Sequence, residues 1–295
     1  MRFGALEAGG TKMVCAVGDE KGHIIERTVI PTDTPAQTLP QMIDFFLERD
    51  IDALGIACFG PIDLITDSPT YGYITSTPKR EWRDTDIVGA FERSMHIPIG
   101  FDTDVNGSLL GEATWGCARG LDDAVYITIG TGVGGGVMSG GKLVHGMLHP
   151  ELGHMLIPRK SGDSYPGICP FHGDCLEGLV SGPSIENRYG VKAELLAGRS
   201  DVWELEAYYI AEALVNIIMT LSPQKIILGG GVMHQEQLYP LIRSEVSRML
   251  AGYIQASPLE DMDGFIVPPS LNDDQGIMGA IRLALEAAGM NPQTE

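Results

Sequence analysis

Residues 169–177 read CPFHGDCLE, a histidine set three positions from a cysteine on either side. Thiolate and imidazole are soft donors suited to zinc, and Cys169, His172 and Cys175 place three of them within seven residues. Gly173 eases the tight turn such a clip needs. A tetrahedral ion requires a fourth ligand, and His145, His149 and His154 all lie a short way upstream. Four protein ligands would close the shell and make the metal structural, whereas buried thiols without metal are the plainer reading. Two carboxylates flank the histidine and cysteine positions. Glu151 precedes His154 by three residues, and Glu177 follows Cys175 by two.

A second acidic stretch, DTDVNGSLLGE (102–112), sits where a strand gives way to a helix. A carboxylate there can accept the proton of an attacking hydroxyl. It can equally cap the helix starting near Val105, and both Asp102 and Asp104 are candidates for either role. Three glycine turns follow apolar runs: EAGGTK (7–12), GTGVGGG (130–136) and GGGVM (229–233). Glycine lets backbone N–H groups approach phosphate oxygens, and Thr11 and Thr131 add hydroxyl donors. None is a G-x-x-x-x-G-K-[ST] loop, and the G-x-G-x-x-G spacing in the second turn precedes a strand, so a P-loop or dinucleotide site is disfavoured.

These residues need a scaffold, and the chain announces one by repetition. FGALEAGGTKMVCAVGDEKGHII (3–25) and AVYITIGTGVGGGVMSGGKLVHG (124–146) share an order of strand, glycine turn, strand, short turn, strand. Two copies about 120 residues apart imply a duplicated α/β domain with a cleft between the halves. Helical spacing is expected over 37–50, over 202–221 with Asp201 and Glu204 as a capping-box variant, and over 274–289. The expected domains are 1–118 and 119–295, with short hinges near 116–123 and the last helix returning to the first domain.

Composition bounds the function. The 295 residues carry 39 acidic and 20 basic side chains, a formal charge of −19, and 44% hydrophobic residues. That field repels phosphate backbones and anionic lipid, so neither nucleic acid nor membrane is an expected partner. Five cysteines, no export-type apolar leader and no span-length apolar run lead to an expected cytoplasmic location. Trp82, Trp115 and Trp203 read as packing residues, with Trp82 alone placed to flank a sugar. His23, His96 and His234 carry no pattern.

The order of motifs resembles the ROK family of sugar kinases across essentially the whole chain. LEAGGTK is similar to its first phosphate hairpin, GTGVGGGV to its second, GGGVM to its adenosine turn, and HPELGHM with CPFHGDCLEGLVSGP to its sugar and zinc signature. The C-x-x-H-x-x-C form and the FGPID and TSTPKREW segments are similar to the bacterial fructokinase branch. The resemblance implies a duplicated actin/hexokinase-like ATPase fold, ribonuclease H-like in each half. It implies ATP with Mg²⁺, a structural Zn²⁺, a hexose and a homodimer. It assigns Asp104 as catalytic base and Gly60, Thr103, Asn106, Glu151, His154 and Glu177 to the sugar. ATP falls to Gly9, Gly10, Thr11, Lys12, Thr131, Gly132, Pro183, Gly230, Gly231, Val232 and Met233, and His154 becomes the fourth zinc ligand. Glu7 and Thr103 depart from the family's usual Asp and Asn. Fructose is the expected sugar, with mannose, glucose and N-acetylmannosamine as alternatives. A ROK-type transcriptional sugar sensor would carry a DNA-reading segment before the first hairpin, where only a few residues stand; a zinc hydrolase would need an open metal position.

Overall fold

A computed structural model describes residues 1–292. In chain order its strands are β1 (Phe3–Ala8), β2 (Lys12–Gly18), β3 (Ile24–Pro31), β4 (Ala53–Cys58), β5 (Tyr73–Ile74), β6 (Thr85–Asp86), β7 (Ile99–Thr103), β8 (Ala124–Ile129), β9 (Val133–Ser139), β10 (Lys142–Leu143), β11 (Lys225–Gly229) and β12 (Ile266–Val267). Its helices are α1 (Pro35–Leu47), α2 (Ile87–Glu92), α3 (Asp104–Trp115), α4 (Leu176–Val180), α5 (Gly182–Tyr189), α6 (Ser200–Leu221), α7 (Leu238–Leu250), α8 (Ser257–Glu260), α9 (Met262–Phe265) and α10 (Gln275–Ala287). Two compact units result. The first comprises Met1–Gly120, Leu143–Pro150 and the chain from Ser270 onward; the second comprises Leu121–Lys142 and Glu151–Pro269. The chain passes between the units at Gly120/Leu121, and Leu143–Pro150, like the C-terminal segment, groups with the first unit.

Each unit is built on one five-stranded sheet, ordered β3-β2-β1-β4-β7 in the first and β10-β9-β8-β11-β12 in the second. In both, an antiparallel hairpin (β1 with β2, β8 with β9) is extended by two parallel strands. The internal echo in the sequence is therefore a duplicated topology. Parallel strands need crossover helices, which cover both faces, so their residues are apolar throughout instead of alternating. β4 is buried at all six positions. In the first unit Leu6, Ala8, Cys15, Leu54, Ile56 and Cys58 point to a core shared with Met42, Phe46 and Phe91. Their neighbours Phe3, Ala5, Val14, Ala16, Ala53 and Ala57 meet Leu110 of α3 and Ile277, Ala280, Ile281 and Ala284 of α10.

That second face is packed backbone to backbone. A Cβ on Gly279 of α10 would fall 1.7 Å from the Gly107 carbonyl oxygen of α3, and one on Gly55 of β4 would fall 1.8 Å from that of Ala280. Glu112, on α3, is fully buried. Its Oε1 accepts from the Ser270 and Leu271 amides at 2.7 and 3.3 Å, and its Oε2 from the Ser270 hydroxyl and Cys117 amide at 2.7 and 2.9 Å. A buried carboxylate is tolerated because donors surround it.

Helix boundaries lie within a few residues of those expected, and one cap differs. α6 starts at Ser200, and Arg199 precedes it with no side-chain cap. Asp201 instead makes a bidentate pair with Arg199, at 2.8 and 2.7 Å, so no capping box forms. No helix among the described residues is long and apolar enough to cross a membrane. Gly279→Ala should destabilise the protein by about 1–3 kcal/mol in denaturant unfolding, from overpacking of a backbone contact. Gly198→Ala, where nothing stands within 4 Å of the new methyl, should stay within about 0.5 kcal/mol of the parent.

Candidate active site

The site residues sit where strands end in turns. In the first unit the β1–β2 hairpin closes over Gly9, Gly10 and Thr11, with the Gly9 amide donating to the Lys12 carbonyl at 3.0 Å. Thr32 staples this turn from β3's end: its hydroxyl donates to the Gly9 carbonyl at 2.8 Å and its amide to that of Thr11 at 3.1 Å. Lys12 opens β2 and is exposed. Glu7, one residue before Ala8 on β1, has its carboxyl pushed above the ordinary range by burial. Gly60 follows β4, next to Phe59, whose amide donates to the Ala8 carbonyl at 2.9 Å.

Beside it, β7 hands over to α3. Thr103 caps the helix, its hydroxyl oxygen accepting from the Asn106 amide at 3.1 Å. Asp104 is the first helical residue, and its Oδ1 accepts from the Val105 amide at 2.9 Å. The cap and the candidate base are thus different residues. A carboxylate at a helix N-terminus is favoured in its charged form by the helix dipole. Asn106 is 1% exposed and turned inward; its Nδ2 donates to Asp102 Oδ1 at 2.7 Å, and its Oδ1 has no hydrogen-bond partner.

Sequence reasoning missed what completes this turn. Asp102, buried, accepts from its successor's amide at 2.7 Å through Oδ1 and lies 2.9 Å from His145 Nε2 through Oδ2. His145 is therefore held by Asp102 and not by the cysteines. His149 is also engaged elsewhere, its Nε2 accepting from the Ile62 amide at 3.1 Å. Burial holds His149 below its ordinary value, so its ring suits the acceptor role. The signal for these contacts lies 43 and 87 positions away along the chain, outside the reach of any local pattern.

In the second unit three turns converge. Gly130–Gly132, with Thr131 between, joins β8 to β9, and the Gly130 carbonyl accepts from the Gly182 amide at 2.8 Å. Pro183 follows in the first turn of α5, which Ser181 caps. Gly230 follows β11 at φ 89°, and a Cβ there would lie 2.5 Å from the Ile129 carbonyl oxygen. Val232 and Met233 continue as a short buried turn, and the Gly231 amide stands 3.6 Å from where a Gly130 Cβ would be.

The same unit gathers the metal donors. The ligating atoms of His154, Cys169, His172 and Cys175 all lie within 4.8 Å of one another. His154 Nδ1 is 3.7 Å from Cys169 Sγ and 3.5 Å from Cys175 Sγ, and His172 Nδ1 is 3.7 Å from Cys169 Sγ. A zinc tetrahedron with bonds of about 2.0–2.3 Å has edges of about 3.6 Å, so two sulfurs and two nitrogens fit that ion. Burial pushes the Cys175 thiol up; a cation entering must displace that proton. The cluster ties the Leu152–His154 turn to the α4 segment, where Leu156 bridges Cys175. Glu151 and Glu177 ride on those two pieces. Glu177 Oε2 accepts from the Val133 amide at 3.0 Å. Desolvation, then the charge of Glu177, push the Glu151 carboxyl above its ordinary range. Two carboxylates that feel each other are ready acceptors for a ligand's hydroxyl groups.

Trp82 and Trp203 are both 1% exposed and serve as packing residues; Trp82 donates its ring N–H to the Asp33 carbonyl at 2.6 Å.

Duplicated sheets of this order, each bearing a glycine turn after its first strand, define the actin/hexokinase-like ATPase fold. The ROK family profile matches residues 3–287, and the chain belongs to the ROK family. It is 44% identical to a fructokinase of Pediococcus pentosaceus, over 97% of this chain and 99% of that one. It is 42% identical to a fructokinase of Streptococcus mutans, over 97% of this chain and 98% of the other. The crystal structure of a ROK hexokinase from Thermus thermophilus superposes with a TM-score of 0.80 at 24% identity, covering 98% and 99% of the two chains.

The Asp102–His145 pair predicts a pH signature. The hydrogen bond to Asp102 raises the His145 value above its ordinary 6.5. The pair's contribution is complete below about pH 6.5 and fades as pH climbs through the raised value. His145→Gln should therefore lower the melting temperature more at pH 6 than at pH 9.

Proposed function

We propose that the protein is an ATP-dependent hexose kinase that phosphorylates the 6-hydroxyl of fructose. The observation that carries this reading is the near-complete alignment with fructokinases at 42–44% identity. The arrangement of turns, carboxylates and metal donors described above supports that reading.

Asp104 takes the proton of the attacking hydroxyl as that oxygen bonds to the γ-phosphorus and the bond to the β–γ bridging oxygen breaks. Its place at the start of α3, with Asp102, Thr103 and Asn106 locked beneath it, fixes the carboxylate's aim. The Gly9–Thr11 turn, through Gly10 and Thr11, and the second turn, through Thr131 and Gly132, receive the nucleotide's phosphates, with Lys12 nearby. Pro183 and Gly230–Met233 receive its adenosine. Mg²⁺ accompanying ATP offsets charge on the β- and γ-phosphates. Glu151, Glu177 and His154 orient the sugar's hydroxyls, and Gly60, Thr103 and Asn106 of the first unit are further sugar contacts.

Zn²⁺ held by His154, Cys169, His172 and Cys175 supplies no chemistry beyond fixing the segments that carry Glu151 and Glu177. All four of its positions are taken by protein, leaving none for an activated water. No cysteine forms a disulfide among the described residues, which fits a reducing cytoplasm. Mannose, glucose and N-acetylmannosamine present similar hydroxyls to the two carboxylates, and the fructokinase relatives decide the order of preference.

Two measurements test this. ADP release across a panel of hexoses with ATP and Mg²⁺ should be fastest with fructose, and Asp104→Asn should slow it by roughly 10²–10⁴-fold without loss of fold. Full activity in that variant would sink the assignment. A strong chelator should remove one zinc per chain, lower the melting temperature and weaken fructose binding while ATP binding is retained; a metal-free preparation that binds fructose normally would rule out the positioning role.

A further inference from the structure

Lys79 lies on a segment fastened at every point. Thr77, 1% exposed, accepts through its hydroxyl from the Lys79 amide at 3.3 Å and through its carbonyl from Arg83 Nη2 at 3.3 Å. The Lys79 carbonyl accepts from the Trp82 amide at 2.9 Å, and Trp82 is itself anchored in the core against Phe59. From this fixed base the side chain reaches over the first glycine turn. A methyl group at Gly10 would stand 3.6 Å from Lys79 Cε. Next to it opens a cavity of about 310 Å³ walled by Thr32–Thr34, Gln37 and Lys79–Trp82.

Lys79 is partly buried and makes no ion pair among the described residues. Asp33 and Glu81 share the cavity wall, yet neither pairs with it. In a chain of charge −19, a lysine left without a counter-charge beside such a turn is a ready partner for an arriving anion. The turn beneath it, stapled by Thr32, presents backbone amides, the other half of an anion site.

The geometry points to Lys79 as a catalytic residue whose ammonium contacts the β- and γ-phosphoryl oxygens of ATP above the Gly9–Thr11 turn. The inference rests on the kinase reading given above. As the sugar oxygen bonds to the γ-phosphorus, the bridging oxygen leaves with its electron pair on ADP, and the hydroxyl proton passes to Asp104. Lys79 gives and takes no proton. It stabilises negative charge moving toward the bridge, so its effect is larger in the transition state than in bound ATP.

Lys79→Met is the test, assayed beside the parent with fructose, ATP and Mg²⁺. Turnover should fall by about 10²-fold, as for loss of one aimed donor, with the KM for fructose and the melting temperature held. Lys79→Arg should recover part of the loss. By calorimetry, Lys79→Met should weaken a non-hydrolysable ATP analogue more than ADP. Should Lys79→Met melt early, that analogue-to-ADP ratio is read on Lys79→Gln below its melting transition. Unchanged turnover, or a defect confined to fructose KM, overturns the role of Lys79. A parent protein that releases no ADP with any hexose instead overturns the kinase reading.

Discussion

The convergence of His154, Cys169, His172 and Cys175 is the constraint on which the placement of Glu151 and Glu177 depends. Residues 151–175 contain one short turn and no strand or helix of their own. A segment so poor in ladder hydrogen bonds pays its conformational entropy with little return. Four donors drawn to one point replace the missing ladder. They also explain how two carboxylates, Glu151 and Glu177, are kept near each other against their repulsion. Three of the six donor edges, at 3.5–3.7 Å, already match those of a tetrahedral ion.

The other half depends on sheet architecture. Both sheets end their first hairpin in a glycine turn, and in both the next parallel strand delivers a further turn beside it. In the first unit that next turn is Phe59–Pro61; in the second it is Gly230–Met233. Parallel strands end on one side, so duplication alone places amide-rich turns in equivalent positions in each unit. What differs is what each unit adds: the β7–α3 junction with Asp104 in one, the four-donor cluster in the other.

Much of this was legible in the sequence because the signals are local. Glycine turns after apolar runs, a C-x-x-H-x-x-C clip and an acidic strand–helix junction each span fewer than a dozen residues. Contacts made across the chain were not legible. Nothing near His145 marks it as the partner of Asp102, and it looked as eligible a metal ligand as His154. Glu112 reads as one more polar helix residue until Ser270 and Leu271 arrive to donate to it. The cap at α6 went the other way, since Arg199 competes for Asp201 and a sequence pattern cannot weigh that competition. Lys79 sits in TSTPKREW, a segment in which sequence reading gave the lysine no role, and the approach of its side chain to Gly10 sets it apart.

The seating of α10 on the first sheet has a consequence for biosynthesis. Gly55 meets Ala280, partners separated by most of the polypeptide, and closing so long a loop is entropically expensive. On the ribosome, the amino-terminal sheet emerges early and must wait with one apolar face uncovered until the final helix is made. The unit formed by Leu121–Lys142 and Glu151–Pro269 has its whole complement of strands sooner. The portion translated first is thus the portion finished last, and during that interval its bare alanine-lined surface is the chain's natural target for chaperones.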